Sequence, residues 1–303
     1  MNKPILWVLV GLSGSGKSTI AAEMVKNTFN TIIVSSDSIR KELTGSVEDQ
    51  SQNEEVFRIF HNRIREGLEN KKNVVADATN LTMKSRRAIM MKINGLDVYK
   101  VCYMIPKPFE QCKIDNLSRE HAVPDDVLDK QIRRFQTPFY EEGFNRIDIH
   151  SFEKENALMF LDMCNLMKNF DQKNPHHNRT LDEHCSYTYD LFSDYNYPHA
   201  FNLGARFHDF GKLYTQTFDE DGIAHYFDHH SVGSYLVLEN LNTYILSGYP
   251  AAQKVLLDMC FIINYHMVPF GLNSDKSRKR WRERFGSTKY QMLLDFNECD
   301  KAR

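Results

Sequence analysis

The 303-residue chain has little of what marks membrane proteins, disulfide-rich secreted proteins or strongly basic proteins. No apolar run approaches the roughly 20 residues that a membrane-spanning helix needs. The six cysteines show no C-x-x-C spacing, which is typical of reduced thiols in a cytoplasmic protein. The formal net charge is −2, so any nucleic-acid binding has to come from local patches. We therefore expect a cytoplasmic protein without a membrane segment.

The first half of the chain alternates short apolar runs with helical periodicity. The runs are PILWVLV, NTIIVSS, KNVVAD, DVYKVCYMI and NRIDIH, and they are rich in Val and Ile. Between the second and third runs, residues 52–70 repeat apolar side chains at intervals of three and four. This alternation predicts a mostly parallel sheet covered by helices on both faces. PILWVLV enters a glycine-rich loop directly, which favours a buried strand over a signal peptide.

The strand pattern stops near residue 150, and helical patterns follow. They cover residues 153–169, 181–194, 198–207, 230–242, 250–264 and 287–302. We therefore predict two domains, an α/β domain over residues 1–152 and an all-α domain over residues 153–303.

A glycine-rich loop follows the first predicted strand and opens a predicted helix. GLSGSGKS fits G-x-x-x-x-G-K-[ST], the pattern of a loop whose backbone N–H groups surround phosphate oxygens. In that pattern the lysine neutralises the β- and γ-phosphates, and the following hydroxyl holds Mg²⁺. The candidate ATP-binding residues are Gly11, Ser13, Gly14, Ser15, Gly16, Lys17, Ser18 and Thr19, with Ser18 as the Mg²⁺ ligand.

Four polar residues beyond this loop are candidates for the same reaction. Asp37 and Arg40 follow the second strand at a spacing of one helical turn, which suits a base and a contact to an acceptor phosphate. A capping Asp with a solvated Arg is the alternative. Asp77 ends the third strand, where a carboxylate organises Mg²⁺ or instead caps a helix. Arg119 precedes a predicted helix that begins at a proline, as in a lid over the triphosphate.

The segments GLSGSGKST, SSDSIRKEL, DATNLTMKSRR, REHAVPDDVL and FQTPFYEEGF together resemble the polynucleotide kinase-like P-loop phosphotransferases over most of residues 1–150. The resemblance implies an α/β P-loop kinase domain that transfers the γ-phosphate of ATP to a 5′-hydroxyl. By the same resemblance, Asp37 is the general base, Arg40 contacts the acceptor phosphate, and Arg119 is the lid arginine. Small-molecule kinases share this scaffold.

The second half carries histidines and aspartates in a series that suits a metal centre. It comprises His184, the adjacent pair His208 and Asp209, the pair His229 and His230, His266 and Asp300. Imidazole and carboxylate ligands together suit Mn²⁺, Fe²⁺, Ni²⁺, Co²⁺ or Mg²⁺, and the series contains no thiolate of the kind that structural zinc prefers. Lys212 lies one turn after Asp209, where it either meets a substrate oxygen or is solvated. His61, His199 and His225 are interpreted as core or surface residues.

The ordered series, with LGARFHDFGK and HHSVGSYLVLENL, resembles the HD phosphohydrolase superfamily over roughly residues 175–303. The resemblance implies a metal site formed by His184, His208, Asp209 and Asp300. His230 and His266 take the positions that two-metal members add, with Asp209 bridging. The H-x-x-G spacing favours His230 over His229. His176 and His177 are interpreted as structural residues.

The segment KSRKRWRERF places six basic residues around Trp281, a composition typical of single-stranded nucleic-acid contacts. The alternative is a solvated helix face with Trp281 turned into the core. Together the two halves predict an RNA end-healing enzyme, an ATP- and Mg²⁺-dependent 5′-kinase joined to a 2′- or 3′-phosphatase, acting on RNA ends alongside a separate ligase. A nucleotide kinase with a nucleotidase, and a kinase with a non-catalytic nucleotide-sensing module, are the alternatives.

Overall fold

In the computed structural model, residues 3–174, 179–244 and 250–302 are described. The chain packs into two compact units. The first comprises Met1–Gln131 and Pro138–His150, and the second comprises Ile132–Thr137 and Ser151–Arg303. The short stretch Ile132–Thr137 therefore belongs by its packing to the second unit, although it precedes the last strand of the first.

The first unit contains a five-stranded parallel sheet, as the sequence predicts. Its strands stand in the order β2, β3, β1, β4, β5, with Val8 of the central strand beside Ala76 and Cys102 of its neighbours. The strands are β1 (Ile5–Val10), β2 (Thr31–Ser35), β3 (Asn73–Asp77), β4 (Tyr99–Met104) and β5 (Arg146–Ile149). Since β1 is central, the glycine-rich loop after it emerges in the middle of one sheet edge.

Helices connect these strands, as expected for a parallel sheet. They are α1 (Lys17–Asn27), α2 (Ser36–Thr44), α3 (Asn53–Glu69), α4 (Met83–Lys92), α5 (Phe109–Leu117) and α6 (Asp125–Arg133), with a 3₁₀ turn at Tyr140–Glu142. In α3 the apolar residues recur every three or four positions, and Val56, Phe60, Ile64 and Leu68 are buried. This stripe holds the helix on the sheet.

A buried ion pair joins α4 to the 3₁₀ turn. The guanidinium of Arg86 donates from Nε and Nη2 to the two carboxylate oxygens of Glu142, at 2.8 and 2.7 Å, and both side chains are fully buried. Its Nη1 donates to the carbonyls of Asn80 and Leu81. The pair therefore fixes the chain that follows β3, the strand that ends in Asp77.

The second unit is mainly helical. Its helices are α7 (Phe160–Met167), α8 (Leu181–Ser193), α9 (His199–Arg206), α10 (Lys212–Thr215), α11 (His229–Leu241), α12 (Pro250–Tyr265) and α13 (Asp275–Lys301), with 3₁₀ turns at Asn242–Tyr244 and Val268–Gly271. A two-stranded antiparallel hairpin, β6 (Thr217–Phe218) and β7 (Ala224–His225), interrupts them. The expectation that strands end at residue 150 is wrong for this hairpin, whose strands are too short to give an alternating pattern.

Two of the predicted helices differ from the observed ones by more than one residue, and the short helix α10 was not predicted. The helix predicted over residues 153–169 begins only at Phe160, and α13 begins at Asp275 rather than at residue 287. Within α13, Gly286 has a φ of 75° and ψ of 162°, so the helix is kinked there. The predicted start at residue 287 corresponds to the part of α13 after this kink. His176 and His177 lie outside the described residues.

The stretch Ile132–Thr137 is held in the second unit by side chains of α11 and α12. Phe135 packs edge-on against Tyr235, with ring centroids 5.1 Å apart. The backbone N–H of Thr137 donates to Oδ1 of Asn264 at 3.3 Å, and the Tyr265 hydroxyl donates to the Thr137 carbonyl at 2.9 Å. These buried hydrogen bonds explain why this stretch packs apart from its neighbours in sequence.

Among the described residues, no helix combines the length and the apolar character needed to cross a bilayer. The six cysteines, all of which the structure describes, are buried and form no disulfide.

Candidate active sites

The glycine-rich loop of the first unit has the backbone conformation that its glycines permit. Gly14 and Gly16 have φ values of 79° and 88°, in the left-handed region that side chains with a Cβ avoid. A Cβ at Gly14 would overlap the carbonyl oxygen of Cys112, so α5 packs directly on the loop. Gln131 accepts from the backbone N–H of Ser13 at 2.8 Å and donates to its hydroxyl at 2.9 Å. Contacts with α5 and α6 therefore fix the conformation of the loop.

Lys17 and Ser18 begin α1 at the mouth of this loop, with Asp77 opposite. The Ser18 hydroxyl donates to Oδ2 of Asp77 at 2.9 Å, and Lys17 Nζ donates to the Leu12 carbonyl at 2.6 Å. Burial lowers the pKa of Lys17 and raises the pKa of Asp77, and each group partly offsets the shift of the other. The structure therefore brings together the cation, the hydroxyl and the carboxylate that the sequence assigned to ATP and Mg²⁺.

The donor set fits a nucleotide phosphate. The helix α1 begins at Lys17 without a side-chain cap, which leaves its N-terminal N–H groups facing the loop. The buried hydroxyl of Ser15 makes no hydrogen bond among the described residues, so it is able to donate one to a phosphate oxygen. Thr19 lies exposed in the first turn of α1.

Asp37 and Arg40 form a pair on α2, next to the end of β2. Arg40 Nη1 donates to Oδ1 of Asp37 at 3.1 Å, and Nη2 donates to Oδ1 of Asn53 at 2.9 Å. The guanidinium is buried, whereas the Asp37 side chain is 56% exposed. Arg119 Nη2 lies 3.9 Å from the other Asp37 oxygen. The three predicted residues therefore meet, and Asn53, which no motif indicates, orients Arg40.

The second unit collects its candidate metal ligands from five helical segments. His184 lies on α8, and His208 and Asp209 lie in the turn between α9 and α10. His229 is the first residue of α11, His266 follows α12, and Asp300 lies in the last turn of α13. The close approach of α11 to the turn between α9 and α10 depends on glycines. A Cβ at Gly211 would lie 2.6 Å from the backbone nitrogen of Gly233.

His184, His208 and Asp300 form the first group of ligand atoms. The two Nε2 atoms lie 3.2 Å apart, and Oδ1 of Asp300 lies 3.1 Å from His184 Nε2 and 3.2 Å from His208 Nε2. Oδ2 of Asp209 is 3.4 Å from His208 Nε2 and 3.6 Å from His184 Nε2. Four predicted ligands therefore converge on one point.

Asp209 also faces a second group through its other oxygen. Oδ1 lies 3.1 Å from His229 Nε2 and 3.6 Å from His266 Nε2, and these two nitrogens are 3.1 Å apart. Asp209 is 4% exposed, so both of its oxygens are committed to the cluster. A carboxylate shared by two groups of nitrogen ligands is an arrangement that could hold two divalent ions side by side.

Of the adjacent pair, His229 rather than the predicted His230 lies beside Asp209 and His266. Asp228 has a positive φ of 60° immediately before α11, which turns the first helical residue, His229, towards Asp209 and His266. The ring centroid of His230 lies 6.4 Å from that of His266, and its ring is nearly perpendicular. The prediction of His230 depends on the H-x-x-G spacing, which carries no information about where the helix begins.

Three of the histidines are fixed in one tautomer by the backbone. Nδ1 of His208 lies 2.8 Å from the Ala205 carbonyl, and Nδ1 of His229 lies 2.8 Å from the Tyr226 carbonyl. Nδ1 of His266 is likewise 2.8 Å from the Ile263 carbonyl. Because a carbonyl can only accept, each Nδ1 carries the proton, and each Nε2 presents a lone pair to the cluster when the ring is neutral.

Charge in the cluster is balanced between its acidic and basic members. Burial alone would lower the pKa of His208, but Cys185, Asp209 and Asp300 raise it well above its ordinary value. Burial, together with His208 and His229, holds the pKa of His266 well below the ordinary range, so this ring is neutral. Since an imidazole ligand has to be neutral, metal binding at His208 would release the proton from its Nε2.

Lys212 lies against the cluster rather than in solvent. Its Nζ is 2.7 Å from Oδ2 of Asp209 and donates to Oε1 of Gln172 at 2.9 Å. Burial alone would lower the pKa of Lys212, but the neighbouring Asp209 carboxylate outweighs this effect and raises the pKa, so the side chain is charged. The alternative of a solvated lysine is excluded.

Cys185 is a neighbour that sequence reasoning missed. Its Sγ and the ligand atoms of His208 and Asp209 all lie within 4.8 Å of one another, and the residue is fully buried. In the sequence, its position immediately after His184 on α8 is the feature that could have indicated its closeness to the metal-ligand cluster.

A cavity of about 840 Å³ opens over the cluster within the second unit. Its lining includes His184, Asp209, Lys212, His229, His266 and Asp300 from the cluster, and aromatic and basic residues from the hairpin, the Val268–Gly271 turn and the end of α13. The cluster is therefore accessible to a ligand of the size of a nucleotide.

Residues 6–138 match a family model described as an AAA domain. The first unit is a P-loop domain. A curated relative, the L-seryl-tRNA(Sec) kinase of Methanococcus maripaludis, is 29% identical over 150 residues, which are 48% of this chain. The chain spans 58% of the length of that kinase. The match to the family model ends before the metal-ligand cluster begins.

Two solved structures resemble the chain more distantly. The Pnkp1/Rnl/Hen1 RNA repair complex is 22% identical, with 44% of each chain covered and a TM-score of 0.40. A gluconokinase from Sinorhizobium meliloti is 18% identical, with 49% of this chain and 84% of that chain covered and a TM-score of 0.34. At these scores the likeness carries no functional argument.

Outside the P-loop domain, the basic segment of α13 divides into a packed and an exposed part. Trp281 stacks on the buried ring of Phe285, with centroids 5.0 Å apart, and Arg284 lies over Trp281 at 5.0 Å. Trp281 is thus part of the helix packing rather than a free stacking surface. The exposed cations, which make no ion pair among the described residues, are Lys276, Arg278, Lys279, Arg280 and Arg282.

Proposed function

We propose that the chain is a bifunctional nucleic-acid end-healing enzyme. Its P-loop domain transfers the γ-phosphate of ATP to a 5′-hydroxyl, and its second unit is an HD-type phosphohydrolase that removes a 2′- or 3′-phosphate. The observation that carries the proposal is that one chain holds both a phosphate-binding loop with an acceptor pair, Asp37 and Arg40, and a cluster of histidines bridged by Asp209.

In the kinase reaction, the acceptor oxygen forms a bond to the γ-phosphorus as the bond to ADP breaks. The exposed carboxylate of Asp37 takes the proton of the acceptor hydroxyl, since one of its oxygens stays bonded to Arg40 and the other faces solvent near Arg119. Lys17 and the N-terminus of α1 stabilise the charge on the transferred group. Arg40, held by Asn53, binds a phosphate of the acceptor.

In the hydrolytic reaction, a bond from phosphorus to a ribose oxygen is replaced by a bond to the oxygen of water. Divalent cations at such a site activate water and neutralise phosphoryl charge. His184, His208, Asp209 and Asp300 would hold one cation, and His229, His266 and Asp209 a second, with Mn²⁺, Ni²⁺, Co²⁺ or Fe²⁺ suited to the nitrogen-rich set. Lys212 offers a fixed positive charge to a phosphate oxygen.

Two observations support nucleic acid over a metabolite as the substrate. The exposed cations of α13 supply the local positive patch that a chain of phosphates needs, although the net charge is −2. The kinase relative is named for an acceptor carried on a tRNA. A kinase and a phosphatase that acted on the same small molecule would undo each other's reaction. On a broken RNA they act on different ends, since one end needs a phosphate added and the other needs one removed. A separate ligase would consume the healed ends.

The test uses an RNA oligonucleotide with a 5′-hydroxyl and a 3′-phosphate or 2′,3′-cyclic phosphate, incubated with ATP, Mg²⁺ and Mn²⁺. Wild type, Lys17→Ala and Asp209→Ala are compared, with free nucleosides and nucleotides as competing substrates. We expect Lys17→Ala to lose 5′-phosphorylation alone and Asp209→Ala to lose 3′-dephosphorylation alone. Each variant is the control for the folding of the other.

Two other outcomes would replace the proposal. Turnover of free nucleosides and nucleotides, with both RNA ends unchanged, would indicate a metabolite kinase joined to a nucleotidase. Retention of every chemical activity by Asp209→Ala, with altered nucleotide regulation of the kinase, would indicate a sensing module in the second unit.

A further inference from the structure

The cavity over the metal-ligand cluster has an aromatic rim that the hydrolytic reaction does not require. Its volume of about 840 Å³ lies towards the upper end of the range for small-molecule sites, well above what a phosphate group fills. The side chains of Phe227, Phe270 and Met267 line it while remaining 66%, 44% and 37% exposed. Exposed apolar side chains grouped inside one cavity indicate a ligand with an apolar face.

Phe227 is the most exposed of these residues, and contacts to its ring and to its backbone hold it in place. Its ring stacks on that of His225, with centroids 5.7 Å apart and planes 10° from parallel. The His225 ring is in turn fixed by Asp219, whose Oδ2 lies 2.8 Å from Nε2. Arg133 Nη1 donates to the Phe227 carbonyl at 2.9 Å. The exposed face of the ring is therefore presented in a fixed orientation.

Phe227 also stands two residues before His229, a member of the metal-ligand cluster. Because Phe227 and His229 line the same cavity, a base stacked on the Phe227 ring would share that cavity with a phosphate at the cluster. Two cations, Lys301 and Arg179, line the same cavity. Lys301 Nζ lies 4.8 Å from the centroid of the Phe270 ring, and the Arg179 guanidinium lies 3.9 Å from the centroid of the Tyr187 ring. Flat apolar faces beside cations suit a nucleobase joined to phosphates.

We propose that the stacked pair of His225 and Phe227 forms a nucleobase-binding subsite that seats the terminal nucleotide of the strand whose phosphate reaches the metal cluster. This inference rests on the proposed phosphohydrolase function and names its substrate class as a base-bearing nucleic-acid end. The subsite distinguishes a nucleotide that carries a base from an abasic one, but it does not distinguish one base from another, because every base can stack on an aromatic ring.

The experiment measures the binding of two RNA oligonucleotides to the full-length protein with Mn²⁺ by fluorescence anisotropy. Both end in a 3′-methylenephosphonate, which is not hydrolysed, and they differ only in whether the terminal nucleotide carries its base or is abasic. We expect wild type to bind the base-bearing end about tenfold more tightly, in the range of one stacking contact. Phe227→Ala should bind both ends equally, and Phe227→Trp should restore the preference.

Phe218→Ala is the matched control, because Phe218 is 56% exposed on the hairpin that carries His225 and does not line the cavity. It should discriminate as wild type does. The proposal is overturned if wild type shows no preference for the base, or if Phe227→Ala keeps the full preference.

Hydrolysis of the corresponding 3′-phosphate ends separates this proposal from the function on which it rests. If wild type hydrolyses both ends without preferring the base in binding, the phosphatase stands and the subsite fails. If neither end is hydrolysed but the binding preference depends on Phe227, the subsite stands and the phosphatase fails.

Discussion

Replacing Asp209 by asparagine should reduce the number of metal ions that the second unit binds from the proposed two to at most one. The carboxylate uses one oxygen towards His229, at 3.1 Å, and the other towards His208 and Lys212, at 3.4 and 2.7 Å. Asparagine keeps a single oxygen and replaces the other by an NH₂ group, which has no lone pair to offer a cation. One group of nitrogen ligands therefore loses its shared carboxylate.

The magnitude follows from the burial of the charges. Asp209 and Lys212 are 4% and 6% exposed, and breaking a buried ion pair by removing one partner costs about 3–5 kcal/mol. Gln172 still accepts from Lys212, so we expect a cost of about 3 kcal/mol without metal. At about 2–4 °C per kcal/mol for a domain of this size, the midpoint of thermal unfolding falls by roughly 10 °C. In wild type, each ion present at 100 times its Kd adds about 2.7 kcal/mol to stability.

The assay combines native mass spectrometry, which counts bound Mn²⁺ per chain, with thermal unfolding at increasing Mn²⁺ concentration. Asp258→Asn is the matched control, since Asp258 is also buried in the second unit but pairs with Lys254 outside the cluster. The double variant Asp209→Asn with Lys212→Met removes the unpaired charge, so it should regain stability without regaining the second ion. Binding of two ions by Asp209→Asn with the affinity of wild type would refute the bridging role.

Two further predictions concern the P-loop domain. Gly14→Ala should abolish ATP binding, whereas Gly16→Ala should lower the free energy of unfolding by only about 1–2 kcal/mol. Both positions have positive φ, but a Cβ at Gly14 overlaps the Cys112 carbonyl, whereas one at Gly16 meets no described atom within 4 Å. Calorimetric titration with ATP and denaturant unfolding measure the difference, and equal effects would contradict it. Arg86→Ala should destabilise the domain by about 3–5 kcal/mol in denaturant unfolding, because it leaves the Glu142 carboxylate buried without its partner, and replacing both residues by leucine should recover most of the loss.

The parts of the fold that depend on short sequence spacing were predictable. Five strands of alternating or continuous apolar residues and a glycine-rich loop between strand and helix give the parallel sheet and place Lys17 and Ser18 at its edge. Asp37 and Arg40 meet because residues three apart share a helix face. In each case the signal lies within a few residues, even where the strands that it indicates pair across tens of residues.

Contacts between distant segments were not predictable in the same way. Gln131 reaches Ser13 across 118 positions, and Asn53 reaches Arg40 from another helix, yet neither belongs to a pattern. The choice between His229 and His230 depends on the positive φ of Asp228, a single backbone angle that decides which side chain faces the cluster. A helix start displaced by one residue turns the side chains by about 100°, which composition and spacing do not register.

The two sites differ in the atoms that they offer to a metal, and this difference bears on why one chain can hold both. The P-loop site presents oxygen from Ser18 and Asp77, which suits Mg²⁺ together with a nucleotide. The second site presents four imidazole nitrogens around two carboxylates, which suits borderline transition metals. Because imidazole nitrogen suits transition metals better than Mg²⁺, the second site would leave Mg²⁺ to the P-loop site. The proposed kinase and the proposed phosphatase could therefore work in one solution on the two ends of a broken RNA.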